Sequence, residues 1–201
     1  MKKLVLGVVF LFAACALAQE EPKFETYLGY NFTRVNSGIN VPAFSANGGI
    51  AELAYNFNHW FSLVGSVPVS HNNNISEFPL DQTMIGYMAG PRVNAHMGRI
   101  TPFFETLLGG TRVNRSFPSP NPGTIAGITT SARLVNSAKS FSMLAGGGLD
   151  LNINRHVAFR PIKLDYYLTR FQPIFIPGLG NFNRNRNQNN LLYSTGFNFR
   201  F

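Results

Sequence analysis

The sequence predicts an all-β protein, an eight-stranded antiparallel up-and-down barrel that crosses a membrane. Three observations lead there. The first is period-two patterning, clearest in the final stretch NNLLYSTGFNFRF. Leu191, Tyr193, Thr195, Phe197, Phe199 and Phe201 share one face there, and Leu192, Ser194, Gly196, Asn198 and Arg200 share the other. Such alternation marks a strand whose two faces meet different environments. The second is the connectors, which alternate between very short and long. The third is composition: 45% of the 201 residues are hydrophobic but only 13% are charged, with 19 Phe and 19 Gly. A soluble domain carries roughly 25% charged residues. Because the mean hydropathy is still only +0.00, polar residues must be interleaved with apolar ones throughout. Apolar side chains toward lipid and polar ones toward a lumen satisfy all three observations.

The N-terminus stands apart from this pattern. Lys2 and Lys3 precede an apolar run from Leu4 to Ala14, and Ala16-Leu17-Ala18 follows. A positive n-region, an apolar h-region and an A-x-A site make a secretory signal peptide, residues 1–18, cleaved after Ala18. Residues 19–201 then form one barrel domain. The competing reading is lipid attachment at Cys15. Cys15 is the only cysteine, so a mature chain cut after Ala18 has no thiol chemistry. The apolar run is too short to span a bilayer comfortably, and no other stretch holds 18 uninterrupted apolar residues. A membrane strand needs only about 9–11 residues.

Strands are expected at 24–34, 48–57, 60–70, 83–95, 99–113, 140–153, 156–170 and 190–201. Short turns fall at 58–59, 96–98 and 154–155 and long loops at 35–47, 71–82, 114–139 and 171–189. Short turns are periplasmic and long loops extracellular in this layout. An even strand count lets the sheet close without an edge. Leu53, Tyr55 and Phe57 oppose Glu52, Ala54 and Asn56; Ile85, Tyr87, Ala89 and Val93 oppose Gly86, Gly90, Arg92 and Asn94. The 156–170 segment breaks the rule. Simple alternation there puts Arg160 on the lipid face, unless a bulge near Pro161 shifts the register.

GPRVN (90–94), TPFFETLLGG (101–110), DYYLTRF (165–171) and the ending GFNFRF (196–201) together make the chain resemble the small OmpA-like outer membrane β-barrel domains. The resemblance covers essentially all of the mature chain. It implies an outer-membrane location and a final aromatic strand read by the barrel-assembly machinery, here Tyr193, Phe197, Phe199 and Phe201. Because the sequence ends there, no peptidoglycan-binding domain is expected.

Eight strands leave an interior just wide enough for side chains to fill. Glu52, Glu105, Asp150 and Asp165 are expected to point inward with Arg92, Lys163 and Arg200. Buried charges must be paired, so these residues form either a salt-bridged plug or the lining of a narrow pore. Catalysis has little support. His59, His96 and His156 fall at short turns, and only His71 lies at the outer side, with Ser70 and Glu77 nearby. Adjacent strand residues point to opposite faces, which separates Ser70 from His71. There is no metal-ligand motif, and no cofactor is expected. The formal charge is +8, or +6 without Lys2 and Lys3. Arg34, Arg112, Arg115, Arg133, Lys139, Arg170, Arg184 and Arg186 fall in or beside the long loops, opposed there only by Glu77 and Asp81. A secreted chain has no access to nucleic acid. Anionic headgroups, in an outer leaflet the lipopolysaccharide phosphates, are the expected counter-charge, with Arg112, Arg115, Arg133, Arg184 and Arg186 facing them. The sequence therefore points to a monomeric, non-enzymatic barrel with a structural or surface-interaction role. A narrow pore and a lipid-A-modifying enzyme are the alternatives.

Overall fold

The structure is a computed structural model that describes residues 22–36, 43–72, 81–118, 123–125, 128–130, 133–171, 175–176, 180–181 and 187–201; side chains are described outside 115–136 and 171–186. Among the described residues twelve strands follow in chain order: β1 (Phe24–Val35), β2 (Phe44–Asn56), β3 (Phe61–Asn72), β4 (Asp81–Asn94), β5 (Ile100–Pro118), β6 (Gly123–Ile125), β7 (Ile128–Thr130), β8 (Arg133–Asn152), β9 (Val157–Phe171), β10 (Phe175–Ile176), β11 (Gly180–Asn181) and β12 (Asn187–Arg200). Eight of them close into a barrel in the order β1-β12-β9-β8-β5-β4-β3-β2, every neighbouring pair antiparallel. The four short strands form two separate pairs, β6 with β7 and β10 with β11. The expected loop at 114–139 is thus partly ladder. β5 and β8 stay paired out to Pro118 and Arg133, because backbone groups that leave the membrane still gain by pairing with each other.

The turns at one end explain the tight connections. Asn58 Oδ1 accepts from the backbone N–H of Trp60 and Phe61, each at 2.9 Å. Asn154 Oδ1 accepts from His156 and Val157 in the same way, at 2.8 and 2.7 Å. Two asparagines in equivalent places thus build the same turn, since the short amide can reach backbone donors two and three residues on. The third turn uses Gly98, whose φ of 66° lies where a side chain is disfavoured. The chain ends meet at this same end. Phe24 N donates to Phe201 O at 3.2 Å and Phe201 N to Phe24 O at 2.8 Å, so no edge is left open.

Side chains are distributed inside out relative to a soluble protein. Phe32, Leu53, Trp60, Leu63, Phe104, Phe141, Leu164 and Leu191 are exposed, while Asn31, Glu52, Arg92, Glu105, Lys163 and Asn198 are buried. In water this arrangement loses the hydrophobic driving force. In lipid the outer face is solvated and the polar residues fill the lumen. Two aromatic belts mark the interfaces. At the short-turn end Phe24, Tyr55, Phe57 and Phe61 form a chain of ring contacts with centroids 5.2, 5.0 and 5.8 Å apart, beside exposed Trp60. Toward the other end stand Tyr30 and Tyr166, whose hydroxyls donate to Asn47 and Asn189 at 2.7 Å. Amphipathic rings prefer such boundaries.

Candidate functional site

The inward faces divide into two levels. Nearest the short turns, ionised side chains cross the lumen from strand to strand. Arg92, on β4, donates from Nε to Glu105 of β5 at 2.7 Å and from Nη2 to Glu52 of β2 at 2.5 Å. Arg160 donates through Nε and Nη2 to the two oxygens of Asp150, at 2.6 and 3.0 Å, and through Nη1 to Glu52 at 3.0 Å. Lys163 Nζ pairs with Glu52, with Glu105 at 2.6 Å and with Asp165 at 3.4 Å. Arg200 closes the bottom, with Glu25 at 3.2 Å, Asp150 at 3.7 Å and the amide oxygen of Asn152 at 2.7 Å. Asn198 donates to both Glu25 and Asp150, at 2.8 and 3.1 Å. Glu52 is the hub, shared by three cations.

Aromatic rings separate the two arginines that lie deepest. The Arg160 guanidinium sits 4.2 Å from the ring centres of both Tyr27 and Phe103, and Arg92 lies 4.6 Å from Phe103. Stacked cations and π faces attract, more strongly when desolvated. Gly148 makes this stack possible. A Cβ there would stand 2.7 Å from the Phe103 ring and 2.6 Å from the Ile162 carbonyl.

The structure therefore brings Glu52, Arg92, Glu105, Asp150, Lys163, Asp165 and Arg200 together at one level. It adds Glu25, Tyr27, Phe103 and Asn198, and it settles Arg160 through the bulge expected near Pro161. Arg160 is not on the lipid face but fully buried in the lumen. The register shifts on both sides of β9. Ser194 pairs Lys163 but Gly196 pairs Arg160, and Leu149 pairs Ile162 but Leu151 pairs Phe159. A bulge at Pro161–Ile162 puts two consecutive residues outward and returns Arg160 inward. Proline is suited to such a position because it has no ladder donor to lose.

Above the charges the lumen changes character. Met88, Leu107 and Leu144 form an apolar layer, continued by Leu192, Val113, Met84, Ala46, Phe44 and Val35 toward the long loops. Hydroxyls thread this packing in pairs. Thr111 lies 2.6 Å from Ser142 and 2.5 Å from the Tyr167 hydroxyl, and Thr33 lies 2.9 Å from Ser70. Ser70 also donates to Asn31 at 3.1 Å, while His71 faces out and meets Thr83 at 2.8 Å. Ser70 and His71 thus stand on opposite sides of the wall, and Glu77 lies outside the described residues. At the short turns the rings of His59 and His96 lie 4.6 Å apart. Burial, and then the neighbouring His59, hold His96 below the usual imidazole range. Among the described residues no group of three or more His, Cys, Asp or Glu is placed to hold a metal ion.

On the outside, Phe197 and Phe201 are exposed and Tyr193 and Phe199 half-buried on the lipid face of β12. Phe197 packs 5.3 Å from Phe159, and the Tyr193 hydroxyl donates to the Pro161 carbonyl at 3.0 Å. Arg112 is exposed on the outer face of β5. Arg115 and Arg133 lie in β5 and β8, but their side chains, like Arg184 and Arg186 altogether, are outside the described residues. Residues 1–18, expected to be a signal peptide, are also outside them.

The family model for the outer membrane protein beta-barrel domain matches residues 4–201. The chain belongs to this family. It is an outer-membrane protein, and the solved structures similar to it agree in fold. The crystal structure of Ail, the attachment invasion locus protein of Yersinia pestis, has a TM-score of 0.59 at 16% identity, over 89% of this chain and 99% of that one. Neisserial surface protein A gives 0.57 at 10% identity over 89% and 97%. OprG from Pseudomonas aeruginosa gives 0.52 at 11% identity over 90% and 96%. No curated protein matches the sequence significantly.

Proposed function

We propose that the protein is a sealed outer-membrane barrel that conducts nothing and catalyses nothing, and acts through its outer surface on lipopolysaccharide or an external partner. The observation that carries this reading is the lumen at the level of Glu52. Arg92, Glu105, Lys163 and Asp165 are at most 2% exposed there, so no water-sized path passes between them. Ion pairs hold that plug, and the apolar layer above it adds a second seal. The separation of Ser70 from His71 by the barrel wall supports a role without chemistry, since a nucleophile needs its base within hydrogen-bond reach. Two of the similar solved structures are of proteins named for attachment and for the cell surface, which accords with a surface role.

Reconstitution in a planar bilayer tests the seal. The expected result is an unchanged baseline at voltages the bilayer itself survives. Discrete, ion-selective conductance steps that persist in the purified protein would overturn the reading and make the same charges a selectivity lining.

A further inference from the structure

The outward faces at the long-loop end differ round the barrel. Arg34, Arg170, Lys139 and Arg112 stand exposed on β1, β9, β8 and β5. The outward positions near this end carry Thr83 on β4, His71 on β3, Ser45 on β2, and Asn187 and Asn189 on β12. Among the described residues, three of the basic side chains thus stand on the consecutive strands β5, β8 and β9, and Arg34 stands apart beyond β12. On these three strands the basic residues converge. Arg112 and Lys139 are direct cross-strand partners on the same face. Arg170 pairs with Phe141, the next outward residue after Lys139 on β8. Like charges placed directly opposite repel. No described carboxylate pairs with any of the three, and the Arg112 Nε donates only to the amide oxygen of Asn114, at 3.3 Å. Among the described residues this cation triad has no anionic partner, and a bound anion would relieve its repulsion.

The height of the triad identifies the kind of anion. Phe141 and Leu108, 54% and 52% exposed, lie on the outward faces of β8 and β5 on the membrane side of Lys139 and Arg112, with Tyr87 across from Gly110 on β4. The positive groups thus sit where hydrocarbon gives way to headgroups. We propose that Arg112, Lys139 and Arg170 form a binding site for the phosphate groups of an outer-leaflet glycolipid, whose acyl chains lie against Phe141 and Leu108. Guanidinium forks suit phosphate oxygens in a bidentate manner, and the ammonium adds a point charge. A soluble polyanion would use the charges but leave the apolar half of the site unused. The inference rests on the surface role proposed above and gives it a lipid and an address.

Native mass spectrometry of protein released from phosphatidylcholine nanodiscs containing bisphosphorylated lipid A reads the retained lipid directly. The parent protein should retain it, and the same lipid without its phosphates should be lost. The triple variant R112Q/K139Q/R170Q should bind about a hundredfold more weakly, from three basic groups at an anionic surface, while Arg34→Gln should behave as the parent. Heat-modifiable mobility on a gel reports that each variant is folded. If the triple variant does not fold, Lys139→Gln is read instead, with a loss of about fivefold. Equal retention by parent and variant, equal retention of the dephosphorylated lipid, or displacement of the lipid by micromolar inositol hexaphosphate would each overturn the site. A conductance step would overturn the sealed-barrel reading while leaving these lipid measurements standing, so the two failures are distinguishable.

Discussion

The two halves of the lumen fill the same width of barrel by opposite means. Near the short turns, Glu25, Glu52, Glu105, Asp150 and Asp165 meet Arg92, Arg160, Lys163 and Arg200 in one connected set. Toward the long loops, Met88, Leu107, Leu144 and Leu192 pack with paired hydroxyls. The difference teaches where each half is fragile. Removing one member of a desolvated ion set leaves its partners charged and unpaired, a penalty that spreads. Removing a methyl group from a packed layer costs only local contacts and a cavity.

The sharpest way to break this comparison is at the hub. Glu52→Ala strips one carboxylate from Arg92, Arg160 and Lys163 at once. It should destabilise the barrel by about 3–5 kcal/mol or more, read as a lower urea midpoint for unfolding from lipid vesicles. Leu144→Ala, in the apolar half, should cost about 2–3 kcal/mol, the low side of the usual range, with the same slope against urea. If Leu144→Ala cost as much as Glu52→Ala, the halves would not differ in the way described. The smallest effect is expected at Asp165. Neither of its oxygens has a hydrogen-bond partner, its contact with Lys163 is the longest of that lysine's three, and the set holds one more acid than base. Asp165→Asn removes the surplus charge and should leave stability within about 1 kcal/mol of the parent, on the stabilising side if it moves. A loss matching that of Glu52→Ala would show Asp165 to be an indispensable partner of Lys163.

Much of this was legible in the strand parity alone. Alternation put Glu52, Arg92, Glu105, Asp150, Lys163 and Arg200 on inward faces, because side chains in a strand can point only two ways. The same logic failed at Arg160, where one extra residue in β9 reverses the faces beyond it. Pro161 and the cost of a cation in lipid are the signals that point to the bulge. Phe103 as a spacer between two arginines, and Gly148 as the room it needs, had no such signal. They depend on which residues of β1, β4, β5, β8 and β9 share a height.

The sequence by itself determined the strands, their faces and the aromatic boundaries, because those follow from local periodicity and from the solvent on each side. Which acid meets which base was decided only by closure. The stagger between neighbouring strands sets the heights at which Glu52, Arg92, Arg160 and Lys163 converge, and that stagger is a property of the whole ring. The same holds for Arg112, Lys139 and Arg170. They lie far apart in the chain, and the pairing of β5, β8 and β9 alone makes them neighbours.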